Sequence, residues 1–261
     1  MSTSIDNRAI VSSKAQIGEG VLIGPNTIIE HDVVIGNGTH IAANVFIANG
    51  ARIGKECRIH HGAIIASLPQ DLKFQGEITT LEIGNYTTVR EYATLNRGTL
   101  ARRKTTVGNN CYIMAYAHVA HDCSIGNHVI LANAVNMGGH VTIEDYVVIG
   151  GLVGIHQFTR IGKHAMIGAN SRTTKDVPPY VLAGQEPLAF TGLNFTGLKR
   201  RNFPQEIIEL LDKTYSLIYN SSLNVTQALN RIKDELTLTD EILHVIDFIE
   251  KSKRGIIGRS K

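Results

Sequence analysis

The sequence predicts an all-β prism, a parallel β-helix of six-residue repeats, followed by a small α-helical domain. Two observations carry the prism and a third carries the helices. An aliphatic residue recurs every six positions from Val11 to Thr173 without a change of frame. Of the 28 positions on that beat 24 are Ile, Val, Leu or Met, the exceptions being Asp71, Glu77, Ala101 and Thr173. Four residues after each beat stands something small, as in Val21, Thr27, Val33, Thr39 and Ala51, and again in Cys111, Ala117, Cys123 and Val129. A period of six fits neither an α-helix nor a simple alternating strand, but it is a β-helix repeat. Each hexad supplies one short strand and one corner, the large aliphatic pointing inward and the small residue fitting where the chain turns. Three hexads close a triangular coil, so residues 18 apart should stack at one inter-strand spacing, about 4.8 Å. The third observation is the return of helical spacing near the C-terminus, in Ile207, Ile208, Leu211, Tyr215 and Leu217–Ile218.

Along the chain, the beat is unbroken from Ile17 to Ile65 and again from Val107 to Ile167. Between these runs, residues 66–82 and 98–106 keep the frame but not its chemistry, and both read as loops thrown out from the prism. Such loops commonly carry function. The repeat ends at DVPPY, where Pro178 and Pro179 withhold backbone donors from any further strand. Pro204 precedes the first helical run, and Asn224 and Thr239 are suited to cap two more helices. The last of these carries Ile242, Leu243, Ile246 and Ile249. The expected division is residues 1–190 for the β-helix and 191–261 for the helical domain.

Composition narrows the class. The three cysteines all fall at small inward positions, which reads as core filler in a reducing compartment and not as a disulfide framework. The opening MSTSIDNRAI lacks the basic-then-apolar pattern of a secretory signal, and no apolar stretch approaches the roughly 20 residues of a membrane span. The expectation is a cytoplasmic protein with no integral membrane segment. A net charge of +3 is too mild to imply nucleic acid. Stacking also lets the outer surface be read in columns. Tyr112, Ile130, Val148 and Met166 form one apolar stripe, whereas His118, Asn136, Gly154 and Arg172 form a polar column beside it, and Ser124, Thr142 and Arg160 another. One apolar stripe on one side of a prism points to a partner there, and to closed cyclic assembly.

The densest polar cluster is His118, His121 and Asp122 in AHVAHDCSIG, with His140 in MGGHVT. His140 stands 18 residues beyond Asp122, and Gly139 18 beyond His121, so the four should converge on one edge. A histidine can take a proton from a hydroxyl while a carboxylate fixes its tautomer, and a glycine amide can hold a developing oxyanion. Three histidines around zinc would be the rival use. By the 18-residue rule only Glu82 and Asn85 lie two coils before His118 and His121, so no such ligand set is expected and no metal is assigned. His31, His60, His61, His128 and His164 read as surface residues without partners. Lys199, Arg200 and Arg201 form a basic run able to hold a phosphate.

Seven segments together resemble one family: QDLK at 70–73, NRGT at 96–99, AHVAHDCSIGN at 117–127, GGHV at 138–141, GGLVGIHQF at 150–158, DVPPYV at 176–181 and GLKRR at 197–201. It is the acyl-ACP:UDP-N-acetylglucosamine O-acyltransferases, the hexapeptide-repeat enzymes that open lipid A biosynthesis. The resemblance spans nearly the whole chain. It implies a left-handed parallel β-helix, a homotrimer with active sites between subunits, an acyl carrier protein as donor and no cofactor. It further implies His121 as general base on the sugar 3-hydroxyl, Asp122 orienting it and Gly139 donating to the oxyanion. Asp71, Lys73, His118, His140, His156 and Gln157 match positions lining the sugar and acyl site. Asn194, Arg200 and Arg201 match those contacting nucleotide or phosphopantetheine. Two positions depart from the family: Thr196 stands where glutamate is frequent, and Ala169 where long-chain enzymes have glycine at the floor of the acyl groove. A related N-acyltransferase shares the prism but usually carries an extra N-terminal domain. A non-enzymatic β-helical scaffold is the alternative of a different class.

Overall fold

A computed structural model describes residues 2–259. Short strands wind through three sheets in turn, so that each strand pairs in parallel with the one a full coil later. The first sheet has 12 strands and includes Tyr112–Ile113, the second has 9 and includes His118–Val119, and the third has 8 and includes Ser124–Ile125. The fold is a left-handed parallel β-helix. Beat residues fill its axis: Ile41, Ile47, Ile65, Ile113, Ile149, Ile161 and Ile167 are all fully buried. So are the small corner residues, among them Val21, Ala63, Ala117, Val129 and Val147. Where threonine takes the small position its hydroxyl donates to a backbone carbonyl of the next coil, as Thr27 does to Ala42 and Thr87 to Gly108. The three cysteines are free and buried, and burial pushes the Cys111 thiol up to about 11, as expected of inert filler.

The corners themselves fall three residues after each beat, in the left-handed backbone region. Tyr116, Asp122, His128, Ala134, His140 and Tyr146 have φ between 56° and 63°. Such conformations are costly for residues other than glycine and persist only where the surroundings fix them. Here coil-on-coil stacking does so. His128 lies on Tyr146 at 4.7 Å between ring centroids, Tyr146 on His164 at 4.8 Å, and His140 on Phe158 at 4.5 Å.

The two excursions are shorter than the sequence suggested, covering 68–79 and 97–103, because strands Ile64–Ser67, Thr80–Ile83 and Lys104–Val107 absorb their flanks. Each inserts whole hexads. Ile53 pairs with Ile83, a separation of 30 residues, and Ile83 with Val107, a separation of 24. The beat survives for that reason, but the 18-residue rule fails across the loops. Thr94, not a residue 18 back, lies beneath His118, and Ile64 beneath Thr94. The expectation of Glu82 and Asn85 two coils below the histidines is thereby corrected. Above the loops the columns run as read, Tyr112–Ile130–Val148–Met166 in the first sheet, and His118–Asn136–Gly154–Arg172 in the second.

Beyond DVPPY an antiparallel hairpin, Val181–Gly184 with Ala189–Leu193, prolongs the first sheet, and Gly258–Arg259 returns to pair on its edge. Neither was foreseen. Four helices intervene: α1 (Phe195–Arg200), α2 (Gln205–Tyr219), α3 (Val225–Glu235) and α4 (Asp240–Glu250). Asn224 caps α3 in a reciprocal box with Gln227, as its position implied. Thr239 holds the N-cap place of α4, but its side chain makes no capping bond. The C-terminal end of α4 lies against the third sheet, where Arg160 stacks over Phe248 at 4.2 Å and Asp176 accepts from both the Arg160 amide and the Ser252 hydroxyl. His244 on the same helix meets Glu144 at 2.7 Å.

Candidate active site

Asp122, His140 and Phe158 occupy successive corners of the edge between the second and third sheets, and His121 precedes Asp122 on it. The His121 ring meets the Asp122 carboxylate through Nδ1, 2.8 Å from Oδ2. Asp122 is fully buried, and every other bond to its carboxylate also comes from a donor: the Thr99 amide (3.0 Å) and hydroxyl (2.7 Å) and the Arg102 amide (3.1 Å). Burial alone would push its pKa up, but the bonds from His121, Thr99 and Arg102 outweigh it and hold the carboxyl below its usual value. An ionised carboxylate only accepts, so Nδ1 carries the proton and the free lone pair of His121 is on Nε2. That atom faces Gly139. A Cβ built on Gly139 would stand 2.7 Å from Nε2 and 2.6 Å from Cε1, so any side chain there would displace the imidazole.

His140 sits edge-to-face on His121 at 5.2 Å, its Nε2 3.9 Å from Asp122 Oδ2. Burial pushes its pKa down, Asp122 opposes, His121 and Arg102 add to the fall, and Asp71 opposes it again. Asp71, on the 68–79 loop, is thus within electrostatic reach of His140, and it accepts from the backbone amide of Lys73, whose side chain is exposed. Two residues under that loop were missed. Asn96 donates to Ser67 and to the Leu68 carbonyl, and Arg97 stacks over Phe74 at 5.6 Å. His118 is held by the Thr94 hydroxyl at 2.7 Å, and burial, with His121 adding, lowers its pKa. His156 and Gln157 are exposed just before Phe158 on the same edge, with His156 Nδ1 3.0 Å from the Gln157 carbonyl. Eight of the expected residues thus gather here: His121, Asp122, Gly139, His140, His118, Asp71, His156 and Gln157. His121, Asp122 and His140 bring three donor atoms within 4.8 Å of one another, as a metal site would. Asp122 has no lone pair to spare, however, so the set suits proton transfer better than coordination.

Four expected residues lie on other edges. Asn194 caps α1, accepting from Gly197, and donates to the His164 carbonyl at 2.9 Å. Arg201 stacks over Tyr146 at 4.1 Å, Arg200 is exposed in the last turn of α1, and all three belong to the edge between the third and first sheets. Thr196 is exposed in the first turn of α1. Ala169 is exposed on the remaining edge, directly above the Gly150–Gly151 turn. Four histidines read as lone surface residues are not: His60 pairs with Glu91 at 3.2 Å, His61 sits edge-to-face on Tyr92 at 5.3 Å, His128 stacks on Tyr146, and His164 is buried between Tyr146 and Tyr180.

Hexad coils, a buried carboxylate–histidine pair and an open glycine on one edge define a hexapeptide-repeat acyltransferase. The model described as "Bacterial transferase hexapeptide (six repeats)" matches residues 14–49, 32–67 and 104–139, and "Udp N-acetylglucosamine O-acyltransferase; Domain 2" matches residues 176–257. The chain belongs to the acyl-[acyl-carrier-protein]--UDP-N-acetylglucosamine O-acyltransferase family. Curated relatives of that name from Sulfurihydrogenibium sp. and Chlorobaculum tepidum are each 53% identical, over 95% and 94% of this chain and 92% and 93% of their own. The crystal structure of a UDP-N-acetylglucosamine acyltransferase from Bacteroides fragilis superposes with a TM-score of 0.96 at 46% identity, covering 97% of this chain and 99% of that one. The Francisella novicida enzyme gives 0.95 at 37% identity, covering 98% and 95%. These names set aside both the scaffold and the N-acyltransferase alternatives.

Proposed function

We propose that His121 is the general base of this acyltransferase, which carries an (R)-3-hydroxyacyl chain from acyl carrier protein to the 3-hydroxyl of UDP-N-acetylglucosamine, the first step of lipid A biosynthesis. The observation that carries the reading is the His121–Asp122 pair with Nε2 open toward Gly139. His121 Nε2 removes the hydroxyl proton as the sugar oxygen attacks the thioester carbon. The Gly139 N–H, which finds no acceptor among the described residues, donates to the oxyanion. As the C–S bond breaks, the imidazolium returns its proton to the departing thiolate. Asp122 stays ionised throughout and stabilises the imidazolium. Asp71, Lys73, His118, His140, His156 and Gln157 hold the sugar and acyl groups around this centre. His121→Ala should lower turnover by about 10²–10⁴-fold with the fold intact, read by mass-spectrometric detection of the acylated sugar nucleotide. Near-normal turnover by a folded variant would remove His121 from the role.

The working unit in this reading is a homotrimer. Asn194, Arg200, Arg201 and Ala169 stand on edges away from His121, so one chain presents the parts of the site without joining them, and a neighbouring copy can. The apolar column Tyr112, Ile130, Val148 and Met166, continued by Leu182, supplies the contact. Val148→Asp would place an unpaired charge in that contact and should dissociate the assembly, as light scattering would show. An intact trimer in the variant would free this stripe from the interface. The acidic carrier docks on basic residues. Arg102 and Arg160 line a cavity of about 570 Å³ with Lys251, Lys253 and Arg254, bordered by His140, and the exposed Arg103 and Arg172 are further candidates for the same docking. KM for the acyl carrier should therefore rise with salt. Among the described residues no helix is long and apolar enough to cross a membrane, and the buried free cysteines support the cytoplasm as the compartment.

A further inference from the structure

The 97–103 loop does more than cross the edge. Its backbone turns inward at Thr99 and Arg102, and three of the four donors on the Asp122 carboxylate come from it. The Arg102 guanidinium then closes on the Asp122 carbonyl at 3.1 Å. The Thr99 hydroxyl is the only side-chain donor among the three. It reaches Oδ2, the same oxygen that receives the His121 Nδ1 proton. The same hydroxyl oxygen accepts from the Ala101 amide at 3.2 Å, which pins it in the turn of the loop and leaves its one proton for Oδ2. Two donors on one oxygen share its charge and fix the carboxylate plane, and so fix where the imidazole points.

We propose that Thr99 is a positioning residue for the reaction, its hydroxyl setting both the orientation of the His121 ring and the strength with which Asp122 holds it. The inference rests on His121 as the base. Without the hydroxyl, Oδ2 keeps a single partner. Its undivided charge then stabilises the imidazolium more strongly, and the ring is free to swing about one bond instead of being locked by two.

The test compares Thr99→Val, which keeps the shape and loses the donor, with Thr99→Ser, which keeps the donor, and runs His121→Ala beside them. Thr99→Val should lower kcat about 10- to 100-fold, the cost of a base held slightly out of line, with KM for the sugar nucleotide within about twofold. The acidic limb of its kcat/KM profile should move to higher pH, and Thr99→Ser should restore both kcat and the limb. Should the valine variant fail to fold, Thr99→Ala supplies the donor-free comparison in the same assay. A donor-free variant with the wild-type kcat and an unmoved acidic limb overturns the inference, as does a serine variant no better than the donor-free one. A fully active His121→Ala overturns the base assignment itself. A dead His121→Ala beside a normal donor-free Thr99 variant overturns only the role of Thr99.

Discussion

Two edges of the prism carry the same kind of residue at the same point of the repeat, yet only one joins a histidine to a buried carboxylate. On the edge between the third and first sheets, His128, Tyr146, His164 and Tyr180 stack in a column with ring planes within 11° of parallel. On the edge between the second and third sheets, Asp122, His140 and Phe158 take the equivalent corners. His164 has aromatic neighbours above and below and no carboxylate bonded to its ring. Burial, assisted by Arg201 and Lys163, pushes its pKa down to about 4, so it stays neutral and serves as packing. His121 is aimed by a buried carboxylate that the 97–103 loop holds ionised. A corner histidine stacked in that column is thus packing, and the other edge differs in having a loop-held carboxylate at one corner, bonded to the histidine just before it.

The comparison breaks most forcefully at Asp122. In Asp122→Asn the amide nitrogen must face a donor wherever it points, and the favoured escape is the other imidazole tautomer, with Nε2 protonated and useless as a base. Turnover should fall about 10²–10⁴-fold, while the His128–Tyr146–His164 edge is untouched. Parallel kinetics and a thermal melt would check this, and a variant with most of its activity would mean the pair is incidental. Gly139→Ala comes next: a methyl group where the imidazole now lies should cost about 10²-fold in kcat by moving the ring. A crystal structure of the variant with His121 undisplaced would refute the steric account.

The remaining edge sharpens the contrast, because Ala169 is expected to act on acyl length there and not on rate. One methylene in an apolar groove is worth about 0.8 kcal/mol, so Ala169→Gly should shift preference several-fold toward longer chains and Ala169→Met toward shorter ones. Competition among acyl carriers of graded length decides it, and an unchanged profile in both variants removes the position from the groove. The smallest effect on activity is expected at His164→Phe, which keeps the stack. Its consequence is for stability. Between the ordinary 6.5 of histidine and about 4, the unfolded chain binds a proton that folded His164 refuses, so native stability falls as pH drops through that window. The phenylalanine variant should lose that part of the slope, as denaturant midpoints at several pH values would reveal, with kcat unchanged.

Most of the prism could be read from the sequence because each hexad repeats one local decision. The beat residues, the small corner residues and the outward columns above residue 104 all follow from it. The convergence of Asp122, His140 and Gly139 around His121 came from the same arithmetic. What escaped it was non-periodic. The loops insert whole hexads, so the frame gave no sign that His118 stacks on Thr94. Thr99 and Arg102 reach Asp122 mainly through backbone amides, which any residue has, and only the NRGT segment, which ends at Thr99, hinted at either. The hairpin of Val181–Leu193 and its edge strand Gly258–Arg259 depend on a long-range pairing with no local signature. The bond by which Asn194, the cap of α1, holds the His164 carbonyl likewise joins segments 30 residues apart and had no local signature.

The insertion lengths have a consequence for how such a chain can change. Because the excursions add 12 and 6 residues, they behave as cassettes: either can be cut out or swapped in units of six without rotating a single inward side chain downstream. Removing residues 98–103 would leave a continuous coil and an undisturbed ladder of isoleucines, but an Asp122 stripped of its clamp. The candidate residues His121, Asp122, Gly139 and His140 stand on the coils, whereas the donors that hold Asp122 come from a separable excursion. A lineage can gain, lose or retune the active edge while its scaffold goes on folding as before.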